Sequence, residues 1–373
     1  MVSRENLIAQ ALEIRGKAMG FFLKSWKTLQ EGTQPRGEKT PQERVGVDLG
    51  QSHLRVLALE IHENKPRISF LHVEKRPASN EEISKRLRSL FAEKGLASKG
   101  IRIALRGQGV VTRILNFPQM KKEDFSSSIK YEAEKYIPFK SDEVVVDFQI
   151  LNENIQRGNS KFMEVLLVAA KKIEIEQVLS LYQQAGFTVE LIDLSAFAVA
   201  NLIESLIPEA EKASMGFIDM GTENSTFGIL LRGKPVFLRD ISFGGSDVIK
   251  LIRRKLGLEP EAVLNLLENP SKMTAEFRKV VELGLANLLA ELKLSLGYYL
   301  DHVAGAEPLG QLFVVGGGFR FAQDLKFLEQ EINIPLRRLE CVSRMEMGPG
   351  VDASLVKKNE DLLSVAAGLC LRP

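Results

Sequence analysis

The chain has 373 residues, 45% hydrophobic and 26% charged, a length that allows two or three domains and a composition that excludes global disorder. Fifty basic residues against 48 acidic ones leave a net charge of +2, which gives no chain-wide field for nucleic acid or an anionic membrane, so any such contact has to be local. Cys341 and Cys370, the two cysteines, fall in no CxxC pair; this argues against a disulfide scaffold or a cysteine-rich zinc site and fits a reducing cytosol.

Residues 1–43 stand apart. Leu7, Ala11, Ile14, Ala18, Phe21, Phe22, Trp26 and Leu29 recur at three- and four-residue steps among Arg15, Lys17, Lys24 and Lys27. That spacing predicts a basic amphipathic helix, able to lie on an anionic membrane, dock on a partner or pack on its own domain. Gly32 to Pro41 reads as a linker. No apolar run approaches the roughly 20 residues of a membrane span, and Glu5 and Glu13 interrupt the place of a signal peptide, so a soluble or peripheral chain is expected.

From Val45 the pattern is that of strands: Val45 to Leu49, Leu54 to Ile61 and Ile68 to Val73 predict a three-stranded meander, followed by a helix over Glu81–Lys94 and a short strand over Ile101–Leu105. The same order returns at Phe217–Ile218, Ser225–Leu231 and Val236–Ile241, followed by a helix over Asp247–Leu256. Asp48-Leu49-Gly50 and Asp219-Met220-Gly221 then occupy equivalent turns of two similar meanders, an internal repeat that implies two like lobes and a cleft. Between them lie strands at Val110–Phe117, Val144–Leu151 and Phe162–Ala169, a polar turn over Asn152–Lys161, and helices around Phe125–Tyr136 and Ile173–Ala185. A helix over Asp193–Leu206 is rich in small residues, and a long one is expected over Phe277–Leu300. The resulting division is 1–43 as the tail, 44–110 with 190–213 and 360–373 as the first lobe, 111–189 as an inserted subdomain and 214–359 as the second lobe.

The repeated Asp-x-Gly turn carries the chemistry. Tight turns with Gly can bring successive backbone N–H groups around phosphate oxygens, which selects Gly50, Gln51 and Ser52 in one lobe and Gly221, Thr222 and Glu223 in the other. Asp48 and Asp219 at the turn edges suit Mg²⁺, a hard cation that takes one or two carboxylates beside phosphates. The strand Leu312 to Val315 runs into Gly316-Gly317-Gly318, where backbone can approach a purine or ribose closely, with a helix expected from Phe321 to Phe327. Glu291, with Ser295 one turn later on the same face, is placed to hold ribose hydroxyls. Gly228 to Lys234 imitates a P-loop, but Pro235 replaces the required Ser or Thr. Gly107-Gln108-Gly109 has Thr112 where the dinucleotide fingerprint needs Gly.

Val47 to Ser52, Ile218 to Ser225 (with Asn224 among the nucleotide-side residues) and Val315 to Gly318 resemble the two phosphate motifs and the adenosine motif of the actin, sugar kinase and Hsp70 superfamily. Phe117-Pro118-Gln119-Met120 followed by Tyr131 to Phe139, the Leu292 to Tyr299 helix and Ala366 to Arg372 are similar to the PilM family of FtsA-like type IV pilus assembly proteins. The resemblance runs over roughly Arg44 to Pro373. It implies an α/β, actin-like (ribonuclease H-like) bilobed fold with an FtsA-type inserted subdomain, ATP and Mg²⁺ in the cleft, and a PilN-like inner-membrane partner. The partner's N-terminal peptide is expected at Tyr131, Glu134, Tyr136, Ile137, Pro138 and Phe139, and the protein on the cytoplasmic side of that membrane. Since no residue stands out as a base that activates water, slow ATP hydrolysis at most is expected. A GspL-like component of type II secretion and a small-molecule kinase, with Asp193 or Asp240 as catalytic carboxylate, are the alternatives.

Overall fold

The computed structural model describes residues 42–372 apart from 63–64, 95, 97–99, 108, 269 and 323–324. The amphipathic helix expected within residues 1–43 lies outside the described residues. Chain order begins with β1 (Gln42–Leu49), β2 (His53–His62), β3 (Lys65–Lys75), α1 (Asn80–Lys94) and β4 (Ile101–Leu105). Strands β1, β2 and β3 pair antiparallel in sequence, and β4 lies parallel to β1. Leu54, Val56 and Ala58 on one face of β2 and Leu57 and Leu59 on the other enter different cores. A strand buried on both faces explains why this segment is almost continuously apolar.

The insertion follows as β5 (Val110–Pro118), α2 (Lys122–Glu132), β6 (Val144–Arg157) and β7 (Ser160–Lys171), with the strands ordered β5-β7-β6 in a separate sheet. Central β7 sends Val165, Leu167 and Ala169 into the core beneath α2 and Leu166, Val168 and Ala170 into the first lobe, so alternation along one strand joins the two units. The hairpin arms run through most of the stretch expected as a polar turn, since Gln156 pairs with Lys161 and Arg157 with Ser160. Side chains there are largely exposed on both faces, so hydrophobic alternation could not reveal the strand.

The chain continues with α3 (Lys172–Gln184), β8 (Val189–Leu194), α4 (Ser195–Leu206), β9 (Ser214–Met220), β10 (Ser225–Leu231), β11 (Lys234–Ile241), α5 (Gly245–Leu256), α6 (Pro260–Glu268), α7 (Ala275–His302) and β12 (Gln311–Val315). It closes with α8 (Lys326–Ile332), β13 (Leu336–Arg338), β14 (Glu346–Met347), α9 (Ala353–Lys358) and α10 (Glu360–Leu371). Asp193 therefore ends a strand instead of starting a helix: it pairs with Ala104 in the parallel ladder. The segment after the glycine run is a tight 3₁₀ turn over Gly317–Phe321, and the helix starts only at Lys326.

The two large sheets have the same plan. One is ordered β14-β3-β2-β1-β4-β8 and the other β11-β10-β9-β12-β13, so an antiparallel meander followed by parallel strands occurs twice and the internal repeat is visible in space. Strand β14 extends the first sheet through β3, which returns the chain to that lobe earlier than residue 360. Between the sheets, α4 and α10 share one core with Leu57 and Leu59 of the first lobe and Phe217, Leu230 and Phe313 of the second. Their small residues allow close approach: a Cβ on Gly368 would stand 1.8 Å from the Ala198 carbonyl oxygen.

Candidate functional site

Asp48 lies one residue from the end of β1, directly opposite Arg55 in the antiparallel ladder. Its Oδ2 accepts a 2.7 Å bond from Arg55 Nη1, and its Oδ1 accepts one from Arg106 Nη2. Arg106 immediately follows β4, so the carboxylate is held from both neighbouring strands. Arg55 is almost fully enclosed, whereas the Arg106 side chain is 33% exposed. Burial opposes the charge on Arg106, but Asp48 and Asp219 outweigh it and hold the guanidinium pKa above its usual value. That second influence comes from the other lobe, so both predicted aspartates act on Arg106.

The first loop, Gly50-Gln51-Ser52, is closed by Gly50 N–H donating to the His53 carbonyl at 2.9 Å and braced by Arg76, whose Nη1 donates to the Gly50 carbonyl at 3.0 Å. In the second loop Gly221 N–H donates to the Asn224 carbonyl at 3.0 Å. The first amides of α5 hold this loop in turn: Gly245 N–H donates to Gly221 O and Ser246 N–H to Thr222 O, at 2.9 and 2.8 Å. A side chain on Gly244 would meet the Thr222 carbonyl at 2.5 Å, the physical reason for glycine before that helix. The loops touch across the cleft, where Gln51 Nε2 donates to Glu223 Oε2 at 2.6 Å.

Asp219 lies one residue from the end of the equivalent strand β9, half-buried, and faces Thr226 across the ladder instead of an arginine. Burial pushes its carboxyl pKa up, with Arg106 and Arg55 opposing and Asp48 adding. Beside it runs Gly316, at φ +89°, where a Cβ would lie 2.4 Å from Asp219 Oδ1; a glycine is required there by both conformation and space. The Gly316 amide donates to the Asp361 carbonyl at 2.9 Å, and Arg320 grips the Asp361 carboxylate, so α10 anchors the glycine run.

These contacts gather Asp48, Gly50, Gln51, Ser52, Asp219, Gly221, Thr222, Glu223, Asn224 and the run Gly316, Gly317 and Gly318 where the two lobes meet. Glu291 sits differently. Its carboxylate accepts a 2.6 Å bond from Arg239 on β11, and Arg239 also donates to Ser295 Oγ at 3.1 Å. Both contacts run between α7 and β11, and the Glu291 side chain remains 40% exposed. Asp193 is fully buried in an ion pair with Arg372, 2.6 Å, and Asp240 accepts from Thr226 Oγ1 at 2.8 Å. Asp193 is therefore structural.

Sequence reasoning missed Arg55, Arg76 and Arg106. A signal existed for Arg55, because a charge inside the buried run Leu54-Arg55-Val56 demands a partner. Arg106 had no such signal, since only the fold brings the end of β4 beside Asp48. For magnesium the donor set does not fit as it stands. Both Asp48 oxygens already accept charge-assisted bonds from guanidinium groups, so a Mg²⁺ ion on this carboxylate would compete with two fixed cations.

His53 follows the first loop, with Nδ1 2.9 Å from Ser52 Oγ. Burial and the nearby Arg55 and Arg320 lower its pKa from 6.5 to about 4. Between those values the unfolded chain binds the proton and the folded one does not, so this residue's contribution is present above pH 6.5 and lost as pH falls through the window. A His53→Gln variant is expected to lose less stability than the parent between pH 7 and pH 4.5 in urea titrations. Equal losses would contradict this.

The predicted partner segment divides by burial. Ile137 is in the core of the insertion with Phe117, Phe125 and Ile129, and Glu134 accepts the Ser141 amide at 2.6 Å to hold a turn. Phe139 is half-covered, with Lys171 Nζ 4.7 Å from its ring centre. Tyr131 is 72% exposed and Tyr136 38%, with Pro138 also exposed and the Tyr136 ring edge-on to Phe117 at 5.7 Å. Met120 is 38% exposed as well. Outward-facing tyrosines, a proline and a methionine suit a peptide-binding surface.

Two sheets of one topology, joined by shared helices and opposing matched Asp-x-Gly turns, with a subdomain inserted in the first, define an actin-like ATPase fold. The model of the family described as type IV pilus assembly protein PilM matches residues 46–373. The chain belongs to that family. Among solved structures, a PilM-PilN type IV pilus biogenesis complex matches with a TM-score of 0.75 and 22% identity, over 89% of this chain and 98% of that one. The ethanolamine utilization protein EutJ from Carboxydothermus hydrogenoformans matches with a TM-score of 0.53 and 13% identity, over 97% and 99% of the two chains. Neither the type II secretion nor the kinase alternative is favoured by these findings. No helix among the described residues is long and apolar enough to cross a membrane.

Proposed function

We propose that the protein is an ATP-binding scaffold of type IV pilus assembly that binds the N-terminal tail of a PilN-like inner-membrane protein. The observation that carries the reading is the meeting of Gly50-Gln51-Ser52 and Gly221-Thr222-Glu223 across the cleft, in a chain of this family. A polyphosphate entering between them would replace the Gln51–Glu223 contact and link the lobes through its own oxygens. The insertion shares a core with the first lobe through β7, so closure of the cleft has a packed route to the surface bearing Tyr131, Tyr136 and Pro138. Peripheral attachment to the membrane through the partner follows from this role.

The test is binding of a synthetic PilN-like tail peptide to the ATP-loaded protein, measured by fluorescence anisotropy. Exposed aromatic anchors dominate such interfaces, so Tyr136→Ala is expected to weaken binding about tenfold or more. Unchanged binding by Tyr136→Ala together with Tyr131→Ala would overturn the assigned surface, and absence of peptide binding by the parent would overturn the function.

A further inference from the structure

The pseudo-twofold repeat makes the two halves of the cleft directly comparable, and they differ at the aspartates. Seven residues after Asp48 comes Arg55, and seven after Asp219 comes Thr226; each is the cross-strand neighbour of its aspartate. After β4 comes Arg106, whereas after β12 comes the glycine run. The first lobe therefore supplies two guanidinium groups where the second supplies a hydroxyl and bare backbone. Two arginines thus stand against the two aspartates with no metal ion involved.

The two arginines are not equivalent. Arg55 is 8% exposed and bonded to Asp48 at 2.7 Å, a fixed part of the wall. Arg106, 33% exposed, is bonded to Asp48 and also feels the charge of Asp219 in the other lobe. A guanidinium has five N–H groups in a planar fork that matches phosphate geometry and is charged at any physiological pH. One of its amino groups donates to Asp48, so the rest of the fork has donors for a ligand. Direct coordination of a divalent cation by Asp48 would set that cation beside two guanidinium charges already bonded to the same carboxylate.

We propose that Arg106 is a phosphate ligand of the cleft and takes the place of a divalent cation, so that this protein binds a nucleoside triphosphate without requiring magnesium. The proposal rests on the nucleotide reading above and adds the charge chemistry of that site. Asp48 then serves to orient Arg106, and Arg55 holds Asp48 in position. Asp219 and the glycine run leave the second lobe's half of the floor uncrowded for the remaining phosphates.

The experiment is equilibrium binding of ATP to the full chain by calorimetry, in excess EDTA and in excess Mg²⁺, with adenosine as a phosphate-free reference. The expected result is an ATP affinity that changes less than about threefold between EDTA and Mg²⁺. Arg106→Ala is expected to weaken ATP by about tenfold or more, the range of a hydrogen bond to a charged group, while adenosine affinity stays within twofold of the parent. Loss of ATP binding in EDTA by the parent would overturn the proposal, whatever the variant does. So would parental ATP affinity in an Arg106→Ala protein with an unchanged thermal midpoint. If the parent binds neither ATP nor adenosine under either condition, the nucleotide reading itself falls, and this proposal with it.

Discussion

Gly368→Ala is expected to destabilise the protein by about 2 kcal/mol or more, although alanine is the better helix former by about 1 kcal/mol. The added Cβ would meet the Ala198 carbonyl oxygen at 1.8 Å and its carbon at 2.4 Å. Both contacts are to backbone, so no side-chain rotation relieves them, and the helices α4 and α10 have to separate inside the core shared by the lobes. Overpacking typically costs about 1–3 kcal/mol, and a rigid backbone obstacle falls at the upper end or beyond. Gly297→Ala is the internal control. Gly297 lies within α7, and a methyl group added there would have nothing within 4 Å, so the same substitution should stabilise by about 0.5–1 kcal/mol. Urea titrations of the two variants should therefore move in opposite directions. A stabilised Gly368→Ala protein would contradict the packing of α4 against α10.

The second large effect is expected at Asp193. Its carboxylate is fully buried, bonded to Arg372 Nη1 at 2.6 Å, to the Leu194 amide at 2.8 Å and to Asn201 Nδ2 at 3.3 Å. Arg44 and Arg102 donate to the Arg372 carbonyl oxygen, so three cationic side chains converge on the last turn of α10. Burial pushes the Asp193 carboxyl pKa up even against the attraction of Arg372, which means that the pair is costly to desolvate and depends on being complete. Asp193→Ala leaves the Arg372 charge, 2% exposed, without its carboxylate. Breaking a buried pair from one side costs about 3–5 kcal/mol, and that loss should be visible in the urea midpoint. Asp193→Asn keeps the shape and the Leu194 bond and should fall between the alanine variant and the parent. A change below about 1 kcal/mol for Asp193→Ala would show that the pair contributes nothing to anchoring α10.

The order of the strands was legible because the two meanders have clear apolar runs, and the repeat of Asp48 and Asp219 pointed to two lobes. Boundaries failed where the residues carry no period. Polar residues of the hairpin arms beyond Leu151 are exposed on both faces, and Asp193 sits at a strand end among small residues that suit a helix equally well. At the site, loops with glycine were legible because their conformation restricts residue type. Partnerships over long separations were not. Arg106 lies 58 positions from Asp48, and Glu291, placed on the expected helix, turned to Arg239, a choice that depends on the tilt of α7 over β11. Within the proposed partner segment Ile137 packs in the core of its own subdomain and Glu134 bonds the Ser141 amide, while Tyr131, Tyr136 and Pro138, like Met120, are on the surface.

In a scaffold of the proposed kind, a nucleotide in the cleft sets the state of the partner surface. The direct measurement is the affinity of a PilN-like tail peptide for the full chain with and without saturating ATP, by calorimetry. The peptide should bind at least about fivefold more tightly with ATP, a coupling of about 1 kcal/mol. Equal affinity in the two states, with ATP binding itself confirmed in the same cell, would contradict it.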